Sequence, residues 1–177
     1  ALGLGVSSDG GESFVTRTTG NSTLPDNEIR SIFASTSRLF LALPVGITYS
    51  DDGGTTFTNV ALGGLLNEVS DVVAVGDRVY AATNGGLAIS SNSGTSYPTV
   101  RTIADGLAVN ALTSITVDGT NVYVGSASGL SISNDSGVSF TIKTIADGLS
   151  DDYVNGVAVY GSKVFISTRH GLTVPNE

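Results

Sequence analysis

The side chains of this chain that could do chemistry are few, and most of them are carboxylates: 16 acidic residues stand against 8 basic ones, with one histidine and no cysteine. Asp151 and Asp152 are adjacent. With Asp71 they could supply the two carboxyl groups of an inverting glycosidase, a proton donor and a base for water, which work ~6.5–9.5 Å apart. Arg30 and Arg169 offer positive charge for an anionic ligand, Tyr153 a phenol, and His170 the only imidazole. One imidazole can act as a lone base, but it cannot build a histidine metal cluster, and without cysteine no thiolate site exists. The sequence therefore offers no metal site and calls for no cofactor.

A second set of carboxylates recurs. Residues 7–14 (SSDGGESF), 50–57 (SDDGGTTF), 91–97 (SNSGTSY) and 133–140 (SNDSGVSF) fit Ser-x-Asp-x-Gly-x-x-aromatic, bringing Asp9, Asp52 and Asp135 to one position and Asn92 in the third copy. A carboxylate two residues after a serine can accept the backbone N–H groups of a tight turn, and glycine supplies its positive φ. Asparagine keeps the acceptor oxygen, whereas a general acid could not be so replaced. Asp9, Asp52, Asn92 and Asp135 are therefore read as structural, with the aromatic residue packed beneath each hairpin. The pattern resembles the Asp-box (BNR repeat) of sialidase-like and sortilin-like β-propellers. That resemblance implies a propeller whose boxes lie away from the ligand face.

These turns sit in a longer repeat. Gly3-Leu4, Gly46-Ile47, Gly86-Leu87, Gly129-Leu130 and Gly171-Leu172 are spaced by 43, 40, 43 and 42 residues. Approximate repeats are 1–27, 28–67, 68–110, 111–152 and 153–177, the first and last partial. In the third complete unit, short strands are expected at 112–117, 122–126, 130–133 and 140–143, with no helical periodicity anywhere. The second strand of each unit is apolar on both faces (RLFLAL, RVYAAT, NVYVGS, KVFIST), so a neighbouring sheet must cover each face. The fourth is polar, and Pro98 before one of them suits an exposed edge. The expected fold is all-β: a β-propeller of four-stranded antiparallel blades, about four repeats in one domain. The stretch ADGLSDDYVNGVAVYGSKVFISTRHGL also resembles the propeller repeat of bacterial two-component regulators. The linker sequences RTIADGL and KTIADGL, 42 residues apart, read as loops between blades.

In such a propeller the linkers between blades and the second-to-third-strand turns share one face. Arg30, Asp71, Asp151, Asp152, Tyr153, Arg169 and His170 are the ligand-binding candidates there. A sialidase reading requires three arginines around the channel. Arg17 and Arg101 fall on outer edges, Arg38 and Arg78 at the opposite turns, so Arg30 and Arg169 alone could face it, and no catalytic residue is assigned.

Composition narrows partners. A net charge of -8 repels phosphate backbones and anionic lipid, disfavouring nucleic acid and membrane surfaces, and no apolar run approaches the ~20 residues of a membrane span. No glycine-rich stretch opens a helix, so the 23 glycines belong to turns. A chain beginning at Ala1 without any methionine reads as a mature or excised product, and an extracellular, cell-surface or periplasmic bacterial location is expected. The third strand of the blade occurs once more than the others, as GLGV and GLTV at the two ends. An unpaired strand is a template for another molecule. The expected function is thus a non-enzymatic module for binding or self-assembly through its surplus strand, with itself or a glycan or protein ligand as partner. The alternatives are a glycan-processing enzyme (sialidase-like or glycoside hydrolase) and the ligand-sensing part of a larger receptor.

Overall fold

The structure, a computed structural model, describes residues 3–174; residues 1–2 and 175–177, the end of the last repeat among them, lie outside the described residues. It opens with a two-stranded sheet of β1 (Leu4–Val6) and β2 (Val15–Arg17). Three four-stranded antiparallel sheets follow. The first holds β3 (Ser31–Ala34), β4 (Leu39–Leu43), β5 (Gly46–Ser50) and β6 (Thr58–Val60), and the second β7 (Val69–Val75), β8 (Arg78–Thr83), β9 (Gly86–Ser90) and β10 (Thr99–Arg101). The third holds β11 (Leu112–Asp118), β12 (Asn121–Ser126), β13 (Gly129–Ser133) and β14 (Thr141–Lys143). A three-stranded sheet of β15 (Val154–Tyr160), β16 (Lys163–Thr168) and β17 (Gly171–Thr173) ends the described chain. Each boundary of the third repeat lies within one residue of the expected one.

Strands within each sheet run in chain order, each antiparallel to its neighbour, and each sheet stacks on the next. The inner strands β3, β7, β11 and β15 lie side by side, and β14 is exposed along its whole length. The apolar second strands are sandwiched: every residue of β4 and β12 after the first is buried. In β16, which has a sheet on one side only among the described residues, four of six residues are not. The hydrophobic core is accordingly divided into separate clusters, one per gap between sheets. The first sheet contributes Leu4 to one cluster and the last contributes Val154 and Ile166 to another, so among the described residues the first and last sheets share no core cluster.

Why each unit repeats Gly-Leu follows from the turn after its second strand. At Gly46, Gly86 and Gly129 the backbone takes φ of 117–129°, and a Cβ there would collide with the carbonyl of Val60, Arg101 and Lys143 in the sheet's own outer strand. Only glycine lets that outer strand close in. Gly171 has a similarly positive φ of 138° but meets nothing, because no outer strand lies beside β17 among the described residues.

The linkers carry more order than loops. Gly64–Asn67, Ile103–Asp105 and Ile145–Asp147 form 3-10 turns. In the last two, Thr102 and Thr144 face Asp105 and Asp147 in reciprocal capping boxes, and left-handed Gly106 and Gly148 end the turn. The Thr-x-x-Asp-Gly of each linker was the available sign.

Candidate functional site

The recurring turns are built from inside. Ser133 Oγ donates to Asp135 Oδ1 at 2.6 Å and accepts Gly137 N–H at 2.8 Å; Asp135 accepts the N–H groups of Val138 and Ser139 and the Ser139 hydroxyl. Asp9 and Asp52 hold their turns in the same way. In the third copy, Asn92 Oδ1 accepts from Ser96 N–H at 3.1 Å while its amide donates to Ser96 Oγ. These donors hold the carboxyls of Asp9, Asp52 and Asp135 well below the usual carboxylate range, the Ser13, Thr56 and Ser133 hydroxyls being the largest causes. Groups so firmly ionised are poor proton donors.

On the opposite end face, linkers and second turns are joined by hydrogen bonds, from Asn84 N–H to Glu68 O, Gly129 N–H to Asp152 O, and Arg169 N–H to Tyr153 O. The seven candidate residues divide here into two groups. Asp71 follows a β-bulge in β7 that re-aims its side chain across the inner strands. One oxygen accepts the Ser31 hydroxyl of β3 at 2.6 Å and the other the Ile115 N–H of β11 at 2.9 Å, so the carboxylate ties three sheets together. Asp152 accepts the Ile145 N–H at 2.8 Å, as Asn110 accepts that of Ile103 in the preceding linker. Arg30 lies between Glu28 (2.8 Å) and Glu68 (2.9 Å). Asp71 lies in β7 and Asp151 in the linker before β15, the sheet of β11 standing between β7 and β15, and each carboxylate is engaged by its own partners.

The other four converge. Asp151 accepts the Tyr153 N–H at 2.6 Å and pairs with the His170 imidazole, and these two contacts, the backbone one first, lower its pKa. The Arg169 guanidinium lies over the Tyr153 ring, 3.6 Å from its centroid. An ionised carboxylate, an exposed imidazole and a stacked arginine–tyrosine pair can hold a polar ligand by hydrogen bonds. Among the described residues no group of three or more His, Cys, Asp or Glu could hold a metal ion.

Three arginines outside the candidate list bind sheet to sheet. Arg38 grips Asp51 in a two-point pair (2.6 and 2.8 Å) and donates to the Ser93 carbonyl of the next sheet's turn. Arg78 and Tyr80 donate to the Ser136 carbonyl, and Arg101 to that of Gly137. Arginines 40 residues apart at one turn position were the sequence sign of this role.

No protein-family model matches the chain, and no curated protein does. Solved structures do. The extracellular domain of a hybrid two-component system of B. thetaiotaomicron, BT4673, matches over 98% of this chain at TM-score 0.79 and 15% identity. An ancestral GH74 enzyme matches over 96% at 0.76 and 18%. The fold is a β-propeller, in part. The chain spans about a quarter of each of those two structures (24% and 25%), whereas it covers 89% of the computationally designed Ika4 protein, with 83% of its own length at TM-score 0.66 and 15% identity. At these identities the likeness establishes the fold alone, so the propeller module here is an arc of blades with Asp71 and the arginines as its inter-blade ties. No helix among the described residues is long and apolar enough to cross a membrane.

Proposed function

We propose that this chain is a non-enzymatic propeller module of a bacterial cell surface or periplasm, which works by binding and by self-assembly through exchange of one of its two rival end strands. Its recurring turns are read as Asp-boxes, blade-building devices rather than sites. The observation that carries the reading is the duplication of one strand position: β1 in Gly3-Leu4-Gly5-Val6 and β17 in Gly171-Leu172-Thr173-Val174 fit the same slot at opposite ends of an open arc. Among the described residues, which end at Val174, β17 makes three residue pairs to β16, while β5, β9 and β13 each make five to their inner neighbour. Bacterial two-component-regulator propellers and the extracellular location of the BT4673 domain support the placement. The end face that carries the Asp151, Tyr153, Arg169 and His170 cluster, and also Arg30, Asp71 and Asp152, is the face on which a glycan or protein ligand is expected.

Light scattering coupled to size exclusion tests the assembly. A discrete multimer is expected at micromolar concentration, and a monomer at every concentration overturns it. Hydrolysis of a polysaccharide panel, compared with Asp151→Asn and Asp152→Asn variants, is expected to show no turnover; activity lost in either variant would replace the reading with a glycosidase.

A further inference from the structure

The gap ahead of each complete blade is plugged by the aromatic residue of that blade's own hairpin. Phe57 is 7% exposed against Leu4, Leu24 and Leu41; Tyr97 and Phe140 are half-buried against the next two clusters. Phe140 packs against a cluster that includes Leu87, Ile89, Leu107, Val122 and Val124. Advancing that set by one repeat gives Leu130, Ile132, Leu149, Val164 and Ile166, and these line a cavity of ≈ 450 Å³ between β13 and β16. Among the described residues no aromatic side chain fills it. A dry cavity of ~150 Å³ already accommodates benzene, so the space is ample for a phenylalanine and its neighbours.

At the other end stands the matching plug. Phe14 is 65% exposed and Val15 57%, although the hairpin that carries them makes the same internal hydrogen bonds as its buried copies. Gly54, Gly94 and Gly137 press onto the preceding sheet, where an added Cβ would come within 3.3, 2.7 and 3.1 Å of Val6, Phe40 and Ile89, while at Gly11 it would meet Phe14 alone, at 4.0 Å. The hairpin is otherwise complete: Gly3 already faces the Arg17 carbonyl, the contact that Gly171 lacks. Polar partners match too. Lys143 at the cavity mouth occupies the place of Arg101, which donates to the Gly137 carbonyl, and the equivalent carbonyl in the exposed hairpin belongs to Gly11, beside acidic Glu12.

We propose that the hairpin of residues 3–17 from a second copy of this chain seats between β13 and β16, with Phe14 filling the cavity and β1 taking the place of β17. This rests on the self-assembly reading and specifies which element is exchanged. The contact is heterologous, end to start, and repeats around a ring until it closes. A second copy is the chosen occupant because the chain's own hairpin is engaged at the far end of the arc, in a cluster that shares no residue with the cavity.

The chain contains no tryptophan, so Phe14→Trp is a single fluorescent reporter. Its emission is expected to shift to the blue as the protein multimerises with rising concentration. Phe14→Asp is expected to raise the midpoint concentration of assembly about a hundredfold or more, the loss of a buried phenylalanine, while circular dichroism stays unchanged. Deleting residues 171–177 is expected to leave assembly intact or tighter, since β17 is the strand displaced. A multimer that survives Phe14→Asp but is lost on that deletion overturns the proposal and leaves the self-assembly reading standing. A monomer at every concentration overturns both readings: blue emission then assigns the cavity to the chain's own hairpin, and red emission leaves residue 14 in solvent.

Discussion

The hairpins at residues 7–14 and 133–140 are near copies with the same internal hydrogen bonds, yet one is bare and the other is built into the core. Ser133 is 1% exposed and Gly137 is buried, whereas Ser7 is half-buried and Gly11 exposed. The turn is thus encoded locally by serine, aspartate and glycine, and its contribution to stability is set by the sheet that precedes it. Equal substitutions in the two kinds of copy should have unequal consequences, which allows the comparison to be broken.

The largest difference is expected for glycine. Gly94→Ala places a Cβ 2.7 Å from the Phe40 ring, itself 2% exposed, on a backbone with φ of 80°. Overpacking and left-handed strain together should cost about 3 kcal/mol, against about 1 kcal/mol for Gly11→Ala, which carries strain alone. Thermal unfolding of both variants, as dilute monomers, reads the difference; equal losses would mean that the hairpins are not pressed against their neighbours. Next comes the aromatic plug. Phe140→Ala should cost about 2 kcal/mol, roughly 4–8 °C for a chain of this size, because the ring is half-buried. Phe14→Ala in the same dilute monomer should shift the midpoint by less than about 2 °C, as for an exposed site.

How much of this was legible depended on whether a feature repeats. Strand positions, the apolar second strands and the turn aspartates recur every 40–43 residues, and the structure places them as the pattern requires. Asp71, Arg38 and Arg101 differ. Their partners, Ser31 and Ile115, Ser93, and Gly137, lie 36–55 residues away on other sheets, so the contacts depend on how sheets stack. Asp71 also needed the bulge in β7, a one-residue shift of register that alternation alone does not reveal. In the Asp151, Tyr153, Arg169 and His170 cluster, chain proximity brought two pairs to one face, but the stacking of Arg169 on Tyr153 is a three-dimensional fact.

A smaller effect sharpens the contrast from the side of the plug itself. The Tyr97 hydroxyl is buried without a hydrogen-bond partner among the described residues, and burial pushes its pKa up. The other three copies carry phenylalanine at this position. Tyr97→Phe should therefore gain up to about 1 kcal/mol, read as a higher denaturation midpoint in urea.

The smallest effect at neutral pH is expected for Asp135→Asn, because Asn92 already performs the same acceptor role in its own copy. Acid separates the two residues. The folded-state pKa of Asp135 is depressed by the Ser133 and Ser139 donors, so its contribution is fully present above the unfolded value of ~3.9 and is lost as pH falls below that toward the folded value. Asparagine cannot titrate, so the variant should lose less stability than the parent between pH 4 and pH 2 while Asp9 and Asp52 continue to titrate in both. Thermal midpoints measured down that pH series should therefore converge or cross for parent and variant; parallel curves would mean that the turn does not depend on an ionised carboxylate.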